Sequence, residues 1–404
     1  MTRPDFDEII DRTGTACSKW DDMQAIYGVS AQDGISMWVA DMDFRPPAAV
    51  QRAVETMAAH GVYGYPGTNR AYVDAIRWWM QNRHGWTVAP DWILTAHGLV
   101  NGTALCIDAF TQPGDAVILM TPVYHAFARV TRAAGRAVTE FPLALVEGEY
   151  RMDWEAWAAR MTGREKVLIL CSPHNPGGRV WSEAELREVV AFCEAHDLIL
   201  VSDEIHHDLV LPSLVLPAPD GAPAPRHHVL ARLVPEAAPR LITLTAATKT
   251  FNIAGAHIGN LIIESEALRR AVQGRMAALG ISPGLFGLGM VAAAYSPEGA
   301  EWVDALVAYL DGNRRIFDAG VNALPGLRSM PLEATYLAWV DFAGTGMSAE
   351  EFTRRVEKTA RIAANHGPSF GAGGDSFMRF NLATPRARVA EAVTRLQAAF
   401  GDLQ

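Results

Sequence analysis

Cysteine is scarce in this 404-residue chain, with four in all: Cys17, Cys106, Cys171 and Cys193. No two form a C-x-x-C pair, and three sit in apolar segments, so no disulfide framework is expected and reduced core thiols are. Runs of Lys or Arg are also missing. With 35 basic against 45 acidic residues the formal charge is −10, and no basic stripe is present to attract nucleic acid or an anionic membrane surface. No apolar stretch approaches the roughly 20 residues of a membrane span. The first residues, Met1-Thr-Arg-Pro-Asp-Phe-Asp7, contain no apolar core of a secretory signal. A reduced, cytoplasmic protein is expected. No internal repeat or long low-complexity tract occurs.

What is present is an alternating series. Short apolar runs, bounded by turn residues, alternate with helical periodicity. The spacing predicts helices from Pro46-Pro47 to His60, over Asn69–Arg83, Val100–Phe110, His125–Ala134 and Ser182–His196. Ser182 and Glu185 have the spacing of a capping box. Strands are predicted at Trp92–Thr95, Ala116–Met120, Val167–Cys171, Leu198–Ser202, Leu241–Thr245 and His257–Ile263. Such alternation implies βαβ units and a mostly parallel, buried sheet flanked by helices. Beyond Pro283 the pattern changes to long helices (Gly284–Tyr295, Glu298–Asn322). A strand (Thr335–Phe342), a helix (Ser348–Ala364), a strand (Phe377–Asn381) and a last helix (Pro385–Phe400) follow. This predicts an α/β chain in two parts: a large domain over residues 46–283, and a smaller α+β domain of residues 1–45 and 284–404. The proline-rich stretch Leu211–Arg240 is expected to be a surface loop.

Parallel sheets place ligands at the carboxyl ends of their strands, so the polar residues following each strand matter most. Val167–Cys171 runs into Ser172-Pro-His-Asn-Pro-Gly-Gly178. Leu198–Ser202 runs into Asp203-Glu-Ile-His-His-Asp208. Leu241–Thr245 runs into Ala246-Ala-Thr-Lys-Thr-Phe-Asn-Ile-Ala-Gly255. Thus Asn175, Asp203 and Lys249 should meet at one sheet edge. A lysine amine can bond covalently to an aldehyde, a carboxylate can hold a pyridinium proton, and an amide can donate to a phenolate oxygen. That trio suits pyridoxal 5′-phosphate.

With the motif Trp38-Val-Ala-Asp-Met-Asp-Phe44 and the segment Asp203-Glu-Ile-His206, the chain resembles, over essentially its whole length, fold-type I pyridoxal-phosphate enzymes of the aminotransferase superfamily. Within them it is most similar to the MalY/PatB-like cystathionine β-lyase branch. The resemblance implies the following roles. Lys249 binds the cofactor covalently and moves the Cα proton. Asp203 pairs with the ring nitrogen. Asn175 and His206 lie at the 3′ oxygen, and Tyr124 stacks on the ring. Gly98, Leu99 and Val100, opening a helix, and Thr248 hold the phosphate. Tyr65 reaches the phosphate of a neighbouring subunit's cofactor, which implies a homodimer with active sites at the subunit interface. Arg379 clamps the substrate carboxylate, a task for a bidentate guanidinium, with the backbone at Ala40 beside it. Two positions depart from the superfamily pattern: Ala246 where a serine is common, and His257 where a phosphate-binding arginine is common.

The implied activity is carbon–sulfur β-elimination on L-cystathionine or a related S-substituted L-cysteine. An aminotransferase would use the same Lys, Asp and Arg; a non-catalytic regulator that binds the cofactor is disfavoured because every catalytic position is filled. Substrate selectivity is expected from Phe6–Ser36, Leu211–Arg240 and Pro331–Tyr336. No metal is expected. His206, His207 and Asp208, with His227 and His228, invite a metal reading, but H-E-x-x-H is absent and adjacent histidines in a strand would face opposite sides, so these histidines are expected to be solvated or at the cofactor's edge.

Overall fold

The computed structural model describes residues 4–212 and 226–403. The predicted loop Leu211–Arg240 therefore lies partly outside the described residues.

The large sheet has seven strands. In chain order they are β1 (Ile93–Ala96), β2 (Ala116–Leu119), β3 (Ala137–Glu140), β4 (Glu165–Cys171), β5 (Ile199–Asp203), β6 (Leu241–Thr245) and β7 (Gly259–Ile262). Their spatial order is β1-β7-β6-β5-β4-β2-β3. Only β7 runs antiparallel, pairing β1 on one side and β6 on the other. The central strands are near-continuous apolar runs because helices cover both faces. Within β4 the alternation is explicit. Leu168 and Leu170 enter one core with Trp157 and Leu186, while Val167 and Ile169 enter another with Leu105 and Phe127.

The flanking helices begin where local chemistry permits. Ser182 caps Glu183–Ala195, its hydroxyl accepting from the Glu185 N–H while Glu185 reaches back to the Ser182 N–H. Asn69 accepts from the Tyr72 N–H to start Arg70–His84, which ends at Gly85 in the left-handed region. Each such cap contributes about 1 kcal/mol. The helix Glu266–Ala278, capped by Ser265, and strand β3 were not anticipated from the sequence.

A second sheet joins β8 (Arg328–Ser329), β9 (Leu337–Asp341), β10 (Asn365–His366) and β11 (Phe377–Asn381) in the order β8-β9-β11-β10. The long helix Pro297–Asn322 and the helix Arg386–Ala399 pack beside it, sharing a core with Phe6, Phe44 and Trp79. One expectation fails here. The helix foreseen over Ser348–Ala364 stops at Arg354 and gives way to a π-type turn, Arg355–Thr359. Arg361 then takes a left-handed conformation (φ +55°), and Ile362–Ala363 pairs in parallel with Ile35–Ser36. Pairing with a segment more than 300 residues away overrides the local helical pattern, since propensity is a weak prior against tertiary contacts. It also ties the N-terminal segment to this second sheet. Among the described residues no helix is long and apolar enough to cross a membrane.

Candidate active site

The carboxyl ends of β4, β5 and β6 deliver their side chains into one cavity of about 530 Å³, lined among others by Gly98, Asn175, Asp203, His206, Thr248 and Lys249. Asp203 closes β5. Its Oδ1 accepts from the Ile205 N–H at 3.1 Å. Burial pushes its carboxyl up to about 7, with Glu204 adding to the rise and Lys249 and His207 opposing it. Burial, reinforced by the Arg379 charge, lowers the Lys249 amine to about 8 against the pull of Asp41 and Asp203. Lys249 Nζ donates to the Ala40 carbonyl at 2.6 Å. The three other lysines are engaged elsewhere: Lys19 with Asp43, Lys166 with the Gly163 carbonyl, Lys358 with the Tyr27 carbonyl.

Across the cavity, Gly98 precedes the helix Leu99–Phe110 with φ +83°, a conformation that favours glycine. The first-turn N–H groups of that helix have no intrahelical acceptor, the usual basis of a phosphate cradle. Leu99 and Val100 line the cavity with Gly98, and Arg129 and His257 reach the same space. Arg129 was not singled out from sequence. It lies one helical turn beyond Tyr124, and nothing in its local pattern marked it.

A second cavity, of about 470 Å³, shares Ala40, Tyr124 and Lys249 with the first and contains Arg379. Arg379 is buried on β11. Its Nη1 donates to Asn175 Oδ1 at 3.0 Å and its Nη2 to the Trp38 carbonyl at 3.0 Å and to Asn365 Oδ1. The guanidinium lies over the Phe370 ring, 5.0 Å from its centroid. With its oxygen occupied by Arg379, Asn175 keeps its NH₂ free to donate toward the first cavity. Asn365 is not evident from sequence because its place is set by strand register: it pairs directly opposite Arg379 across β10 and β11.

The motif Trp38–Phe44 forms a strap over this junction. Asp43 is buried against Lys19 Nζ (3.0 Å), Arg12 Nη1 (2.9 Å) and Trp20 Nε1 (3.0 Å). Burial works against its ionisation, but Lys19 and these donors hold the carboxyl down to about 2. Asn252, three residues after Lys249, bonds to the Met42 N–H and to the Met42 and Phe44 carbonyls. Asn381 donates to the Val39 and Asp41 carbonyls. These anchors fix the Ala40 carbonyl, which also accepts from Tyr336 Oη at 2.9 Å. Of the three regions expected to set selectivity, the first supplies Tyr27 to the second cavity, and the third supplies Tyr336 to the Ala40 carbonyl.

His206 is buried with its ring edge-on to Tyr336, and its Nδ1 has no hydrogen-bond partner. The expectation for its neighbour needs correcting. His206 and His207 lie in a turn after β5, not in a strand, and His207 is buried, not solvated. Tyr65 is fully exposed and lines neither cavity of its own chain. Every other residue given a cofactor or substrate role from sequence lies in one of the two cavities.

A covalent amine, a carboxylate that gains from an opposing cation, a buried imidazole nitrogen without a partner and a cradle of free amides form a donor set that fits pyridoxal phosphate. Residues 34–396 match the family model for aminotransferase class I and II. The chain belongs to that family. It is similar to the cystathionine β-lyase PatB of Bacillus subtilis, with 36% identity over 398 residues covering 98% of this chain and 99% of the relative. Its fold is similar to cystalysin from Treponema denticola, whose crystal structure contains a pyridoxal 5′-phosphate cofactor (TM-score 0.92, 32% identity, all of both chains). It is also similar to the pyridoxal-phosphate-bound C–S lyase from Staphylococcus hominis (TM-score 0.87, 28% identity, 99% of this chain and 98% of that one). The α/β architecture expected from the strand and helix series is therefore the aminotransferase-like fold type I.

Proposed function

We propose that the protein cleaves L-cystathionine or a related S-substituted L-cysteine by β-elimination, giving a thiol, pyruvate and ammonia. It is a pyridoxal-phosphate-dependent C–S lyase. The observation that carries this reading is the meeting of two cavities at one buried amine, Lys249, with a carboxylate on one side and a guanidinium on the other. Full-length likeness to a cystathionine β-lyase supports the same conclusion.

When bound, pyridoxal phosphate supplies an electron sink that acidifies the substrate Cα–H and lets a Cβ substituent leave with its electron pair. The chain's own residues do the rest. Asp203 would pair with the ring nitrogen, and Asn175 and His206 would present donors to the ring's oxygen. Tyr124 packs on the ring face. Gly98, Leu99, Val100 and Thr248 would receive the phosphate, with Arg129 and His257 lining the same cavity. Arg379, preorganised by Asn175, Asn365 and the Trp38 carbonyl, takes the substrate carboxylate and so orients the Cα–H toward Lys249. Lys249, with an amine lowered to about 8, is poised to accept that proton near neutral pH. Release from the Ala40 carbonyl frees its Nζ for the transfer.

Residues 46–283 are taken as the cofactor-binding domain and residues 1–45 and 284–404 as the small domain, on the strength of the two sheets. A homodimer is proposed on Tyr65 and its surroundings. Val62, Tyr63, Tyr65, Leu279 and Phe286 are all exposed, with the Tyr63 and Phe286 rings 5.5 Å apart, and exposed apolar patches of this kind mark interaction surfaces.

The test is product stoichiometry without an oxo-acid. The cofactor-loaded enzyme, given L-cystathionine or S-alkyl cysteines, should release equal pyruvate, ammonia and thiol over many turnovers. A single turnover that becomes many only after adding an oxo-acid would identify an aminotransferase instead.

A further inference from the structure

Behind the turn that carries His206, a group of buried side chains outside both cavities converges on one carboxylate. Asp208 Oδ1 lies 2.8 Å from His84 Nε2 and accepts from Trp79 Nε1 at 2.9 Å. Asp208 Oδ2 lies 3.1 Å from His207 Nε2 and accepts from Thr250 Oγ1 at 2.8 Å. The ligand atoms of His84, His207 and Asp208 all lie within 4.8 Å of one another.

The two imidazoles nearest Glu204 are oriented by it. His207 Nδ1 is 2.6 Å from the Glu204 carbonyl oxygen. A carbonyl only accepts, so Nδ1 carries the hydrogen and, in a neutral ring, Nε2 presents a bare lone pair. That Nε2 is buried and makes no aligned hydrogen bond, although a carboxylate oxygen is 3.1 Å away. A lone pair facing a carboxylate is repulsive unless something positive lies between them. His227 repeats the arrangement. Its Nε2 is 2.8 Å from Glu204 Oε2, and its Nδ1 is buried without a partner. Its ring lies 6.0 and 6.1 Å from those of His84 and His207. Imidazoles fixed through one nitrogen by a carbonyl or carboxylate, with the other nitrogen bare, are the arrangement metal-binding histidines adopt.

We propose that His84, His207 and Asp208, with His207 oriented by the Glu204 carbonyl and His227 beside them, form a binding site for a divalent transition cation of the zinc class. Imidazole nitrogens with one carboxylate oxygen suit zinc, nickel or copper and not magnesium or calcium. The ion takes the place of the proton between His207 and Asp208 and of the His84 Nε2 hydrogen that Asp208 accepts, His84 then carrying its one hydrogen on Nδ1. Through Asp208 and Thr250 it braces the helical turn Ala247–Thr250 that carries Lys249. His84 comes from a position more than 120 residues before His207 and Asp208, which is why no spacing motif marks the three together.

The test uses the holoenzyme, incubated with excess zinc chloride, desalted and assayed for zinc by atomic emission, with a parallel sample loaded with cobalt(II). The expected result is one equivalent of zinc per chain and visible d–d bands of nitrogen-ligated cobalt, both lost in His207→Ser and in His84→Gln. Zinc retention by the wild type no greater than by His207→Ser would mean that a proton holds the site and would overturn the proposal. Should the variants fail to fold, absence of cobalt bands in the wild type would overturn it alone.

Discussion

The two cavities that meet at Lys249 are built in different ways. The cofactor side is assembled at the ends of successive parallel strands: Asp203 is the last residue of its strand, and Asn175 and Lys249 follow shortly after Cys171 and Thr245. The substrate side is assembled from a strap near the N-terminus and two antiparallel strands near the C-terminus, held by Asn252, Asn381 and the Arg379 contacts. The first side is a product of topology. The second depends on the docking of distant segments, so its precision rests on a few buried hydrogen bonds.

The largest effect should come from removing the residue common to both sides. Lys249→Ala is expected to lower thiol release by at least about 10³-fold, the scale of a lost general base, with the circular dichroism spectrum unchanged. An effect confined to one side should follow from Arg379→Lys. A point charge cannot reproduce the fork that meets a carboxylate and three protein oxygens, and kcat/KM should fall about 10²-fold, as for truncating a buried hydrogen-bonded charge. Cofactor absorbance should stay at full occupancy; loss of cofactor from this variant would break the division between the two sides.

A pH effect belongs to the residue the two sides share. Only the neutral amine of Lys249 attacks an aldehyde, and its pKa is lowered to about 8. The rate of reloading the apoprotein should rise about tenfold per pH unit below 8 and level off above it, because one proton must leave. Stopped-flow absorbance across that range checks the sign and the midpoint. The smallest effect is expected for Tyr65→Phe. The side chain is fully exposed, so thermal stability should move by no more than about 0.5 kcal/mol. Cofactor retention on dilution should fall several-fold if the hydroxyl reaches a partner subunit's phosphate.

The same contrast explains what was legible in the sequence. Asn175, Asp203 and Lys249 could be placed together from the sequence alone, because an apolar run ending in a polar cluster identifies both the strand and its functional end. Ser182 with Glu185 marked its helix start for an equally local reason. Asn365 and Tyr336 could not be placed, since Asn365 matters only through its register opposite Arg379 and Tyr336 only through a carbonyl nearly 300 residues away. The helix drawn too far over Ser348–Ala364 failed for the same cause: Ile362 and Ala363 answer to Ile35 and Ser36, not to their neighbours in sequence. His84 stayed unremarked because its meeting with Asp208 is a property of packing alone.

The central claim, that Lys249 is the amine on which both sides converge, has a direct test. The holoenzyme can be reduced with borohydride, digested and mapped by mass spectrometry. The account predicts the trapped cofactor on the peptide containing Lys249 and on none carrying Lys19, Lys166 or Lys358. Label on any of those three instead would contradict it.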